Sequence, residues 1–251
     1  MAQEIFVHLL PTLFDPADVK GGIAIIVDIL RASTTITHAL ANGAGGVIPC
    51  GAVEDAFAIR EASADGTCLL GGERGGIKID GFDLSNSPDD YSPSVVSGKT
   101  IGFTTTNGTK ALLRSQQADE ILIGAFVNFS AVLQRIASQP KPIHIVCAGT
   151  DGVITGEDVL FAGALSEALQ NTGEDWKAND AGKVAENHWR QECNELTAAG
   201  IEPSLRRAQG GRNLIRLGYD KDIATASMVD SVPVVGIVND ENIIRRFGTS
   251  M

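Results

Sequence analysis

The chain has 251 residues, enough for one sizeable core, and 43% of them are hydrophobic while only 5% are aromatic. Lys and Arg total 20 against 31 Asp and Glu, a formal net charge of −11. That field opposes nucleic acid and anionic membranes, and an anionic substrate would need a local basic pocket or a metal.

Apolar runs predict strands over 5–9, 23–29, 46–50, 67–70, 100–104, 120–123, 143–147 and 232–238. Helical spacing marks 33–41, 53–64, 109–116, 129–138 and 158–170. Such alternation predicts an α/β fold with a largely parallel sheet covered on both faces. The stretch 171–230 is charged and helix-rich, with Trp176 and Trp189 in amphipathic surroundings and no predicted strand. It reads as a helical subdomain closing over one end of the sheet. The whole is read as a single domain over 1–251, with a soft division near residue 98.

Cys50, Cys68, Cys147 and Cys193 are widely spaced without a C-x-x-C pair, so neither zinc-site nor disulfide-framework spacing is present. The N-terminus has no cationic segment leading into a long apolar one, and no apolar run reaches membrane-spanning length. The expectation is a soluble cytoplasmic protein, with a homo-oligomer left open.

Polar residues gather where strands hand over to helices, the usual ligand side of an open α/β sheet. The first group, Val27-Asp28-Ile29-Leu30-Arg31-Ala32-Ser33-Thr34-Thr35, puts an acid, a base and three hydroxyls after the apolar run 23–27. The second, Gly71-Gly72-Glu73-Arg74-Gly75-Gly76, sets a charged pair between double glycines, and Arg74 offers a planar fork for phosphate, carboxylate or sulfonate oxygens. Next comes Gly81-Phe82-Asp83-Leu84-Ser85-Asn86-Ser87-Pro88, which is either Asx-turn chemistry or a pocket rim carrying Asp83 or Asn86.

In the fourth group, Thr104-Thr105-Thr106-Asn107-Gly108-Thr109-Lys110, hydroxyls and small residues precede a helix and form an anion cradle. It is not a P-loop. The fifth runs from Cys147-Ala148-Gly149 to Gly156-Glu157-Asp158. Its two carboxylates suit either the first turn of a helix or Mg²⁺, which takes one or two hard oxygen ligands and leaves the rest to water and phosphate. Cys147 is the cysteine placed to act; a reactive role needs a lowered pKa.

Late in the chain, Arg206, Arg207, Arg212 and Arg216 form a basic patch, either a solvated helical face or a lid offering a cation. His8, His38, His144 and His188 lack metal-site spacing and read as structural, and no G-x-S-x-G is present.

Taken in order, these segments, with Gly218 and Asp222, resemble the 2-phosphosulfolactate phosphatase family over nearly the whole chain. The resemblance implies a three-layer α/β/α fold with a largely parallel or mixed sheet. It also implies Mg²⁺-dependent hydrolysis of 2-phospho-3-sulfolactate to 3-sulfolactate and phosphate, a step toward coenzyme M.

On that reading Asp28, Glu73, Glu157 and Asp158 include the Mg²⁺ ligands. Arg31, Glu73, Arg74, Asn86, Thr105, Thr106, Asn107, Gly108, Thr109 and Gly149 surround a small anionic phosphorylated substrate. Asp28, Arg31, Arg74 and Cys147 are the catalytic candidates, with Asp28 attacking phosphorus or activating water and Cys147 as the alternative nucleophile. The pattern D-x-D-x-[TV] fails at Leu30 and C-x5-R fails at Val153, so neither of those phosphatase routes is expected. Two further readings stand beside it: a phosphatase for another small 2-phospho-hydroxy acid, and a non-catalytic binder of such metabolites.

Overall fold

A computed structural model describes residues 3–64, 66–193 and 195–248. Eleven strands form one mixed sheet: β1 (Gln3–His8), β2 (Ile23–Val27), β3 (Gly46–Pro49), β4 (Cys68–Arg74), β5 (Ile77–Lys78), β6 (Thr100–Thr104), β7 (Glu120–Gly124), β8 (Ile143–Cys147), β9 (Trp176–Ala178), β10 (Gly236–Val238) and β11 (Ile244–Arg246). Their order is β5-β4-β6-β3-β11-β10-β7-β2-β8-β1-β9. The helices are α1 (Ala32–Ala41), α2 (Val53–Ala62), α3 (Pro93–Val96), α4 (Gly108–Arg114), α5 (Phe129–Ala137), α6 (Gly156–Gln170), α7 (Asp180–Glu192), α8 (Ala198–Arg207), α9 (Gln209–Leu217) and α10 (Asp220–Ser227).

Two blocks of parallel strands, β4-β6-β3 and β7-β2-β8-β1-β9, are joined by the antiparallel β11 and β10. Three antiparallel steps separate β7 from β3, so the blocks run in opposite directions. β2, at the heart of the larger block, is buried at all five residues, as a parallel strand covered on both faces requires. Ile23, Ile25 and Val27 face α5, α6 and the later helices in one core. Ala24 and Ile26 join a second core in which Ile36 and Leu40 of α1 meet Val47, Ile101 and Phe103 of the other block. Each fully buried Ile, Leu, Val or Phe contributes roughly 1.5–3 kcal/mol. The shared core around α1 therefore draws the two blocks together, and with them the carboxyl ends of β2, β4, β6 and β8.

The α/β architecture agrees with the sequence reading, and the differences have local causes. The stretch 171–230 is helical through α7 to α10 but also supplies β9, which extends the sheet edge beside β1. Three residues are too few to show an alternation. β10 begins at Gly236 rather than 232; Pro233 has no N–H to donate to a ladder. β4 continues to Arg74, so Glu73 and Arg74 lie in a strand, where consecutive side chains take opposite faces. No helix among the described residues is long and apolar enough to cross a membrane.

Candidate active site

The chain leaves β2 at Asp28 and is held there by its own polar residues. The Asp28 N–H donates to Ser33 Oγ at 3.0 Å, the Ser33 hydroxyl to the Ile26 carbonyl at 3.1 Å, and the Ala32 N–H to Asp28 Oδ1 at 3.2 Å. Thr34 and Thr35 donate to the carbonyls of Ile29 and Asn86. The Ser33 and Thr34 hydroxyls thus build the turn, and that of Thr35 ties the start of α1 to the Asn86 segment. The second carboxylate oxygen of Asp28 faces the start of α4; a Cβ on Gly108 would lie 2.7 Å from Oδ2. Ile26, Ile36, Phe103 and Leu112 back this carboxylate with apolar surface. Burial pushes its pKa up to about 7, with the nearby Glu73 and Glu157 adding to the shift and the Ala32 N–H opposing it.

Arg31 is buried beside it. One guanidinium nitrogen donates to Asp222 Oδ2 at 2.7 Å and the other to the Gly76 carbonyl at 2.8 Å, with the group lying 4.3 Å over the Tyr219 ring. Ser87 donates to the other oxygen of Asp222 at 2.7 Å. Four segments are tied at one point, and Arg31 still lines the cleft.

The strand alternation in β4 separates its charged pair. Glu73 turns into the cleft, where it accepts from the Thr106 N–H at 2.7 Å and the Gly76 N–H at 2.6 Å. Arg74 turns to the other face and donates to Thr104 Oγ1 at 3.0 Å and to the Glu73 carbonyl. It is not among the cleft-lining residues. The expectation of Arg74 as a substrate fork is therefore corrected; Glu73 instead pins the 104–109 turn.

Of that turn, Thr106 and Asn107 line the cleft, and Asn107 Oδ1 accepts from the Asp151 N–H at 3.0 Å. Thr109 Oγ1 accepts from the Thr105 N–H, while Thr105 Oγ1 is buried without a partner against Gly108. Asn86 lines the opposite wall with Oδ1 unpartnered. Asp83 lies elsewhere, accepting from the Leu70 N–H.

The fifth motif divides. Asp158 is buried and accepts from the N–H groups of Ile29 and Gly149, both at 2.9 Å, so its two oxygens lock the β2 loop to the β8 loop. The Asp158 carboxylate takes up the Gly149 N–H and leaves it none for a phosphate, and Gly149 has a left-handed φ of 64° where a Cβ would collide with Leu10 and the Val153 carbonyl. Cys147 packs inside the larger core. Burial, reinforced by Asp158 and Glu157, pushes its thiol well above the ordinary value. A nucleophilic cysteine needs the opposite, so its burial argues against Cys147 as the alternative nucleophile.

Glu157 is buried with Oε2 unpartnered, and burial raises its pKa. Asp28 accepts through Oδ1 alone, and among the described residues Glu157 Oε2, like Glu120 Oε1, is a buried carboxylate oxygen without a partner. Glu157 is not itself a cleft-lining residue but packs against Gly210, which is, and a spare carboxylate oxygen there suits a divalent cation. No group of three His, Cys, Asp or Glu among the described residues could hold a metal by itself. Mg²⁺ needs no such group, because water and substrate phosphate complete its shell.

These elements enclose a cleft of about 200 Å³. Its far wall is α9, through Gly210, Asn213, Leu214, Arg216 and Leu217, and Thr150 and Asp151 complete the mouth. Reading the sequence picked out Arg216 only as part of a basic patch and missed Asn213. The spacing of 210, 213, 214 and 217 along one helical face was the available signal.

The sequence model of the 2-phosphosulpholactate phosphatase family matches residues 8–241. A relative from Caldanaerobacter subterraneus subsp. tengcongensis, named "Probable 2-phosphosulfolactate phosphatase", is 41% identical over 218 residues, 87% of this chain and 88% of that one. Relatives of the same name from Symbiobacterium thermophilum and a Synechococcus species are 35% and 40% identical, covering 90% and 92% of this chain and 95% and 94% of theirs.

Proposed function

The chain belongs to the 2-phosphosulpholactate phosphatase family, a family of phosphoric monoester hydrolases, and from that premise we propose that it hydrolyses 2-phospho-3-sulfolactate to 3-sulfolactate and phosphate. The observation that carries this reading is Asp28: a buried carboxylate at the tip of the central strand, with one oxygen free, a pKa near 7, and Arg31 beside it in the same small cleft.

Asp28 takes the proton of a water as that water attacks phosphorus; the bond from phosphorus to the C2 oxygen breaks, that oxygen takes a proton from solvent water in the open cleft to become the hydroxyl of sulfolactate, and Asp28 returns its proton to solvent. A base with a pKa near the working pH combines a large ionised fraction with useful basicity. Arg31 offers its remaining N–H donors to the substrate's anionic oxygens, and the tie to Asp222 fixes its plane. Asn86, Thr106 and Asn107 supply uncharged hydrogen-bonding groups around the substrate. Glu73 holds the Thr106 turn against β4 and orients these groups.

Glu157 is the residue that would hold Mg²⁺, together with water and phosphate oxygens; when bound, the ion offsets charge on the phosphoryl oxygens. The sulfolactate released is the sulfonate building block that coenzyme M synthesis requires.

Phosphate release from synthetic 2-phospho-3-sulfolactate, measured with Mg²⁺ and again with EDTA, tests the reading. Release that stops with EDTA and returns with added Mg²⁺ is expected. No release under either condition overturns the activity, and release indifferent to EDTA overturns the metal.

A further inference from the structure

The net charge of −11 makes any unpaired cation in a cleft informative. In the helical stretch over the site, Arg206 pairs with Glu202, Arg207 with Glu192, Arg190 with Glu167 and Lys183 with Asp180; Arg212 has no ion pair among the described residues, but it donates to the Arg207 carbonyl and does not line the cleft. Arg216 makes no ion pair among the described residues and faces the cleft, with Asn213 Oδ1 at 3.4 Å as its hydrogen-bond partner.

Its backbone is well fixed. Gly210, one turn and a half earlier in α9, lies so close to Glu157 that a Cβ there would overlap the carboxylate. At the other end Leu217 packs against Gly76, where a Cβ would lie 2.6 Å from its Cδ1. α9 is seated at both ends, and Arg216 stands at the exposed rim while Arg31 lies buried beside Asp28.

We infer that Arg216, assisted by Asn213, is the sulfonate subsite and makes the protein selective for a sulfonated substrate. The inference rests on the phosphatase reading above and deepens it. The substrate's carboxylate is attached to the carbon that bears the phosphate ester, so it stays near Asp28 and Arg31. The sulfonate is one carbon further away and reaches for the rim. A guanidinium matches its oxygens with two parallel N–H donors.

The test compares phosphate release from 2-phospho-3-sulfolactate and from 2-phospholactate, which keeps the carboxylate but has no sulfonate, in the wild type, Arg216→Gln and Arg216→Lys. The ratio of the two kcat/KM values should fall at least about tenfold in Arg216→Gln, as expected for loss of a hydrogen bond to a charged group, with Arg216→Lys in between. Thermal midpoints are recorded to confirm folding.

An unchanged ratio overturns the inference, as does an equal loss on both substrates. Wild type that releases phosphate from neither compound would remove the phosphatase reading alone. Calorimetric titration with 3-sulfolactate then decides: weaker binding by Arg216→Gln supports the subsite, and equal binding, or none by the wild type, overturns it.

Discussion

Arg31 and Asp222 stand 191 positions apart in the chain and meet at 2.7 Å in the protein interior, with about 2–3% of either side chain exposed. This pair joins the loop after the central strand to α10, while the same guanidinium holds the Gly76 carbonyl and Asp222 also takes the Ser87 hydroxyl. Removing one member of a buried pair leaves the other charge uncompensated, at a cost of roughly 3–5 kcal/mol. Asp222→Ala is expected to lower the unfolding free energy by that order and to raise KM, because Arg31 is no longer oriented. Urea titration and steady-state kinetics check both; a variant of wild-type stability would show that the pair is dispensable.

Asp28→Asn keeps the acceptor for the Ala32 N–H but cannot take a proton. Phosphate release should fall by about 10²–10⁴-fold. For the wild type the rate should climb with pH through about 7 as the carboxylate ionises. The stability consequence has the opposite sign. The folded pKa of about 7 lies above the ordinary 3.8, so this residue's ionisation opposes folding progressively between those values. At pH 8 the thermal midpoint of Asp28→Asn should match or exceed that of the wild type. A lower midpoint with a retained rate would remove Asp28 from the chemistry.

Asp158 accepts two backbone N–H groups from two loops. In Asp158→Asn the amide NH₂ must face one of them, leaving a buried donor unsatisfied at about 1–3 kcal/mol. Loss of stability should be accompanied by loss of activity, since the Ile29 and Gly149 loops both border Asp28. Hydrogen exchange at Ile29 and Gly149 would show which bond is lost; slow exchange at both would mean the clamp survives.

Cys147→Ala should retain phosphate release within about threefold and cost about 1 kcal/mol, the typical effect of a single substitution. The native thiol should resist alkylation until the protein unfolds. Abolished turnover in a folded variant would restore the nucleophile that its burial argues against.

His8 and His144 stack, with Nε2 and Nδ1 3.1 Å apart. Burial lowers both pKa values from 6.5 to about 4, with His144 contributing to the shift of His8. The unfolded chain therefore binds more protons than the folded one between pH 6.5 and 4, and stability falls as the pH drops through that window. His144→Gln can keep a hydrogen bond to His8 while removing one titrating group. Its thermal midpoint should fall less steeply over the window than that of the wild type; equal slopes would place the acid sensitivity elsewhere.

The positions that read most clearly in the sequence were those with local causes. The run 23–27 is apolar on both sides, so it had to be an interior strand, and Asp28 immediately after it had to stand at that strand's end. Thr106 and Asn107 were noticed in the same way, as polar residues where β6 hands over to α4, whereas for Asn86 the sequence left Asx-turn chemistry and a pocket rim equally open, and the fold sets it at the cleft. Arg74 was misjudged because a Gly-rich stretch looked like a loop; once β4 is known to continue to residue 74, alternation sends Glu73 and Arg74 to opposite faces. Asp158 and Gly149 were assigned to ligand because nothing local reveals that each satisfies the other.

What the amino-acid order determined alone is the α/β class, the buried strand under Asp28 and the turns that carry polar groups, because each depends on neighbours within a few residues. Tertiary packing decided which of those groups share a cleft: the core around α1 draws two oppositely directed strand blocks together, and α9 closes the far side. Contacts such as Arg31 with Asp222 depend on the path of the intervening chain, and local spacing carries no record of that path.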